Sequence, residues 1–125
     1  MLSVKFLPDM HELQIAQNII TIVNDELSKS GNLNAVDTVY FIAGRMRAII
    51  PETLKFSYDV QKKNHTQLEN SKLSVKEIDI VIKCKDCDYQ QTILEPVFYC
   101  EKCLSTNIEI VNGNELYVDS IELAD

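Results

Sequence analysis

Apolar residues recur at Leu13, Ala16, Ile20, Val23 and Leu27, in steps of three and four that define one face of a helix. Ile19 and Ile22 widen that stripe, and Ser30-Gly31-Asn32 supplies a stop signal. In front of it, Asp9-Met10-His11-Glu12 has the form of a capping box, with Asp9 as N-cap and Glu12 at the third helical position. The period then changes. Val36 to Ala43 reads as a strand in which Val39, Phe41 and Ala43 alternate with Thr38, Tyr40 and Ile42. Both sets are fairly apolar, as in a strand covered on both faces. Gly44-Arg45-Met46-Arg47 breaks the run. Pro51 suits the first turn of a second helix, where a missing N–H costs nothing. Leu54, Tyr58 and Gln61, with Phe56 and Val60 beside them, carry this helix to about Lys63, and Asn64-His65-Thr66 ends it.

Shorter strands follow. Leu73 to Lys76 and Asp79 to Lys83 read as two, the second leading into Cys84. Gln91-Thr92-Ile93 and Val97-Phe98-Tyr99 read as the strands of a small hairpin. Ile108 to Val111 and Leu116 to Ile121 flank Asn112-Gly113-Asn114, and Asn-Gly is a strong turn signal. The last strand has two possible places, in that small module or back in the first sheet. The fold class expected is α+β, with two helices packed on a small β-sheet and a cysteine-held ribbon projecting from it. Residues 10–82 with about 112–125 form the α/β part. Residues 83–111 form the ribbon, and 1–9 are an extension.

Composition adds bounds. With 125 residues, 46% apolar and 25% charged, the chain has enough material for one main core and a small stapled module. The formal net charge of −7 is unevenly spread. Residues 1–82 carry nine Lys/Arg and ten Asp/Glu, a net of −1, whereas residues 83–125 carry three Lys and nine Asp/Glu, a net of −6. A nucleic-acid ribbon needs a positive face to displace counterions from phosphate, so this balance argues against DNA or RNA as a partner. No secretory signal is visible between Met1 and Asp9, and no apolar run approaches the roughly 18 residues that span a membrane. The expected compartment is reducing cytoplasm.

The candidate chemistry is concentrated in four cysteines. Cys84-Lys-Asp-Cys87 and Cys100-Glu-Lys-Cys103 are both Cys-x-x-Cys, they hold every cysteine of the chain, and twelve residues separate them. Two residues inside a pair let a tight turn aim both sulfurs at one ion, and the spacer lets the chain run out and back to complete a tetrahedron. Four thiolates without an open position describe a structural Zn2+ site. Iron in a rubredoxin-like site and two disulfides are minor alternatives. Only two histidines occur, His11 and His65. By spacing alone each is a solvated side chain, His11 near a helix start and His65 in a polar loop. No Ser/His/Asp set, Gly-rich phosphate loop or paired-carboxylate motif is visible, so no enzyme is expected.

Several stretches, taken in order, resemble one family. Met10-His11-Glu12-Leu13 opens the long helix; Val39-x-Phe41-x-Ala43-Gly44 closes the first strand; Pro51-Glu52-x-Leu54-x-Phe56 starts the second helix. The two cysteine pairs follow, and Gly113-Asn114-Glu115-Leu116-x-Val118-x-x-Ile121 ends the chain. On these residues, 10–125 is similar to the HypA/HybF family of hydrogenase-maturation nickel metallochaperones. Glu101 stands where the family's second knuckle often has proline, which loosens a turn without removing a ligand.

The resemblance implies a function and a site. Ni2+ is bound transiently by His11 with backbone nitrogens of Met10 and Glu12, and Glu12 places an acid beside the ion. Cys84, Cys87, Cys100 and Cys103 hold structural Zn2+. The ion is delivered to the large subunit of a [NiFe]-hydrogenase, with urease as a second client that the family admits. The partners implied are that large subunit and a nickel-handling accessory GTPase, because this chain has no P-loop of its own; whether it forms a homodimer is left open. Family members begin at the Met of Met-His-Glu, so Met10 is the expected functional start, where a free α-amine of pKa roughly 8 would be available as a ligand. The rival reading from another class is a zinc-ribbon protein–protein interaction module with no nickel role.

Overall fold

The computed structural model describes residues 11–95 and 97–125. Within them the chain forms α1 (Glu12–Ser30), β1 (Val36–Gly44), α2 (Pro51–Gln61), β2 (Lys72–Ile78), β3 (Ile80–Cys84), β4 (Gln90–Ile93), β5 (Ile108–Asn112) and β6 (Leu116–Leu123). Short 3-10 turns cover Arg45–Arg47 and Lys62–Asn64. Two three-stranded sheets result, ordered β2-β1-β6 and β4-β3-β5. The class is α+β, as the sequence pattern predicts.

The residues divide into two compact units. One takes the chain as far as Ile42, then Ile49–Lys76 and Tyr117–Asp125. Here α1 buries Ile15, Ala16, Ile19, Ile20, Ile22, Val23 and Leu27 on one stripe. It stops at Gly31, whose left-handed φ of 65° lets Asn32 N–H reach Leu27 O and Gly31 N–H reach Ser28 O. β1 is buried at Val36, Thr38, Val39, Phe41 and Ile42, hence on both faces. α2 contributes Leu54 and Tyr58, both fully buried. The Tyr58 hydroxyl lies 2.6 Å from Ser71 Oγ, and Ser71 in turn donates to Leu68 O at 2.6 Å.

The other unit comprises Ala43–Ala48 and Glu77–Leu116. Its sheet is antiparallel, with Ile80 opposite Ile93 on one side of β3 and Cys84 opposite Ile108 on the other. The small core is Ile80, Ile82 and Ile93, covered by Met46, Phe98 and Ile108. Gly44 and Gly113 pass at close range. A Cβ on Gly44 would lie 2.1 Å from Gly113 O, so only hydrogen fits there.

Four sequence expectations are corrected. Val97–Tyr99 forms no strand; Gln91–Ile93 pairs with β3 instead. Asn112-Gly113-Asn114 is not a hairpin turn, because β5 joins β3 while β6 joins β1. The last strand therefore belongs to the first sheet. Leu13 is 62% exposed and the buried stripe starts at Ile15, while Phe56 and Val60 face away from the Leu54–Tyr58 face. Finally, α1 begins at Glu12 with His11 as N-cap, so Glu12 is the first helical residue and not the third. Its carboxylate meets Ile50 N–H at 3.4 Å. Asp9 lies outside the described residues.

Candidate metal centres

The cysteine cluster is built by two turns of the same design. Alternation along β3 places Ile80, Ile82 and Cys84 on the buried face, so the first sulfur starts from a fixed strand. The chain then turns. Asp88 N–H donates to Cys84 O at 2.9 Å, and Cys84 N–H donates to Tyr89 O at 2.8 Å. The second pair repeats this pattern, with Leu104 N–H to Cys100 O at 2.8 Å and Cys100 N–H to Ser105 O at 2.8 Å. The residue that follows each pair is left-handed, Asp88 and Leu104 both at φ 64°. Aspartate tolerates that region better than leucine does.

The two turns bring all four sulfurs within 4.8 Å of one another. Cys84 and Cys103 are 3.5 Å apart, Cys87 and Cys100 3.6 Å, and none is in a disulfide. A tetrahedral ion at a metal–sulfur distance of about 2.3 Å needs sulfurs roughly 3.8 Å apart. The cluster fits one ion of that kind. Cys84 and Cys100 are buried, Cys87 and Cys103 exposed.

The thiols act on one another. Burial pushes Cys100 up, yet the backbone of Cys103 and Lys102 and the neighbouring thiols bring it down to about 7. Cys103 is drawn down by the Ser105 backbone, but the Cys84 thiol and burial push it up to about 12. Thiolates crowded in this way repel one another, and a cation among them favours their deprotonated form.

Other side chains brace the cluster without any signal in the cysteine spacing. Asp86 accepts from the Ser105 hydroxyl and, at 3.1 Å, from Asn107 Nδ2, and these bonds lower its pKa. Buried Gln91 donates to Tyr99 O at 3.3 Å and accepts from Glu101 N–H at 2.9 Å. It ties β4 to the second turn. A glutamine inside an alternating strand is the only trace that such a role leaves in the sequence.

His11 is exposed at the N-cap of α1, with φ −85° and ψ 159°. Its carbonyl accepts from Ile15 N–H at 3.0 Å, and its side chain makes no capping bond. The first amides of a helix have no intrahelical acceptor, and those of His11 and Glu12 are among them. Among the described residues, the four cysteines form the only group of three or more side-chain metal ligands. Met10 lies outside the described residues. His65 is half-buried, with Nδ1 3.1 Å from Asn24 Nδ2, and so is a hydrogen-bonded residue rather than a solvated one.

Comparison with known proteins adds to this geometry. The family described as hydrogenase/urease nickel incorporation, metallochaperone, hypA matches residues 10–123. Hydrogenase maturation factor HypA of Desulfatibacillum aliphaticivorans is 38% identical over 116 residues, which is 93% of this chain and 88% of that protein. Its namesake in Desulfosudis oleivorans is 32% identical over 114 residues, 91% of this chain and 98% of that one. The solution structure of the Ni metallochaperone HypA from Helicobacter pylori aligns with a TM-score of 0.65 at 22% identity, covering 91% of this chain and 97% of that one. A second HypA solution structure aligns at 0.68 and 21%, covering 93% and 98%. These two likenesses concern the fold.

Proposed function

This chain belongs to the HypA family of hydrogenase/urease nickel-incorporation metallochaperones, and on that premise we propose that it carries Ni2+ to the large subunit of a [NiFe]-hydrogenase. The ion is held by the His11 imidazole and by backbone nitrogens of Met10, His11 and Glu12. Imidazole and amide nitrogens together suit square-planar Ni2+. The observation that carries the reading is the position of His11. It is exposed, it opens a helix whose first amides have no partner within the helix, and it lies inside the matched family span.

The cysteine cluster holds structural Zn2+ in this reading. The ion supplies charge compensation for four thiolates and closes the two turns. Cys84, Cys87, Cys100 and Cys103 hold it, while Asp86 and Gln91 fix the segments that present them. No catalytic chemistry is assigned to the chain. A partner GTPase provides nucleotide hydrolysis, and the client enzyme provides the final nickel ligands. Among the described residues, no helix is long and apolar enough to cross a membrane.

The test is a nickel titration of the unmodified protein and of His11→Ala, with zinc content measured in both. Loss of nickel binding at constant zinc supports the site. Unchanged nickel affinity in His11→Ala refutes it.

A further inference from the structure

We propose that Gln61 is a positioning residue for the nickel site, acting through the first turn of α1; this rests on the His11 reading above. Gln61 is the last residue of α2, and its Nε2 donates to Leu13 O at 3.0 Å. That carbonyl belongs to the first turn of α1, two residues after His11. A site made partly of backbone nitrogens depends on where the amides of His11 and Glu12 point. Helix ends fray, so these amides need an external tether if they are to be arranged before the ion arrives.

The tether has a rigid anchor. Leu54, Tyr58 and Gln61 recur at steps of four and three, so Gln61 sits on the same face of α2 as the two buried residues. The last turn of α2 is fixed by Ser71. Tyr58 bonds its hydroxyl, while Lys62 Nζ donates to its carbonyl at 2.5 Å and pairs with Asp59 at 3.0 Å. The restraint therefore runs from the buried Ser71 through the end of α2 and the Gln61 amide to Leu13 O. At the opposite end of α2, the long 3.4 Å contact of Ile50 N–H with the Glu12 carboxylate restrains the same turn. Among the described residues, Gln61 bonds Leu13 and not His11 or Glu12. It acts by holding the carbonyl that follows them.

The experiment uses the full chain and four proteins: unmodified, Gln61→Leu, Gln61→Lys and His11→Ala. Nickel affinity is measured by calorimetric titration, the ligand-field absorption bands of bound nickel are recorded, and zinc content and far-ultraviolet dichroism check the fold. Leucine keeps the length and loses the donor; lysine keeps a donor. Gln61→Leu should weaken nickel about fivefold, the effect of one lost hydrogen bond, and shift the bands. Gln61→Lys should restore affinity to within about twofold. Unchanged affinity and bands in Gln61→Leu, or equal losses in the leucine and lysine variants, would overturn the proposal. If His11→Ala binds nickel normally, the nickel site itself is wrong and this inference falls with it. If His11→Ala abolishes binding while Gln61→Leu is silent, only the inference falls.

Discussion

The Tyr58–Ser71 pair makes a prediction in which the two partners are not equivalent. Ser71 Oγ donates to Leu68 O at 2.6 Å, so its proton is committed and Tyr58 must be the donor in the 2.6 Å contact between the hydroxyls. Tyr58→Phe removes that donor and leaves Ser71 bonded to Leu68. The loss is one neutral hydrogen bond, about 1 kcal/mol. Ser71→Ala removes the acceptor and leaves a phenol hydroxyl without a partner at a fully buried position. Desolvation without compensation raises that cost to about 2–3 kcal/mol. Leu68 O keeps the Ser71 N–H bond at 2.9 Å in either case. The double variant restores a polar-free contact, so its cost should fall about 1 kcal/mol short of the sum of the two singles. The assay is urea denaturation of the zinc-loaded protein, followed by far-ultraviolet dichroism. The pH dependence carries the same signature. Burial raises the Tyr58 pKa above the ordinary value of 10.0, despite the opposing pull of Ser71. Its stabilising contribution is therefore complete below the unfolded-state value and is lost as pH rises through the folded one; Tyr58→Phe should remove that alkaline component. Equal costs for the two single variants, or strict additivity, would refute the donor assignment.

Other consequences are simpler. Cys87→Ser should abolish zinc binding and unfold the cysteine unit while the helices persist, read by metal content and dichroism; retained zinc at one ion per chain would count against the four-thiolate site. Because loading displaces thiol protons, zinc affinity should rise with pH through the neutral range in a chelator competition. Gly44→Ala should cost about 2–3 kcal/mol in the same denaturation assay, since its Cβ meets only backbone, at 2.1, 2.2 and 2.6 Å. Binding to random duplex DNA should be negligible at physiological salt by electrophoretic mobility shift, and salt-dependent micromolar binding would contradict the charge argument. A form starting at Met10 should bind nickel more tightly than the 125-residue chain, because its α-amine replaces an amide; equal titration curves would remove the amine from the site.

How much of this could be read from the residues depends on the range of the interaction. α1 was legible because seven buried residues share one period, and its end because Gly31 and Asn32 carry the stop chemistry. The cysteine cluster was legible because its ligands come in two local turns. Misreadings arose where distant contacts decide. Val97–Tyr99 has strand composition, but β4 pairs with β3 instead. Asn112-Gly113-Asn114 has turn chemistry, yet Gly113 serves a close approach, its missing Cβ lying 2.8 Å from Ile80 Cα. Phe56 stands beside Leu54 in the helical pattern, but its side chain is 69% exposed. The tether from Gln61 to Leu13 spans 48 positions, and nothing local announces it.

A carrier must release its cargo, and the two candidate centres differ in that respect. The cysteines offer four sulfurs from two interlocked turns, two of them buried, with second partners such as Asp86 and Gln91 holding the segments in place. An ion there leaves only if several bonds and the turns themselves give way, which suits a structural role. His11 offers one exposed imidazole and amides at a helix end. In the proposed nickel site, amide nitrogens would lose protons to bind and regain them on release, so an incoming ligand set could displace them one at a time. The protein's problem at that end is the opposite of retention. If His11 carries the ion as proposed, that end must hold a loose set of nitrogens long enough to capture it, and a single neutral hydrogen bond from Gln61 would be of the right size, strong enough to bias the first turn of α1 and weak enough to yield on transfer.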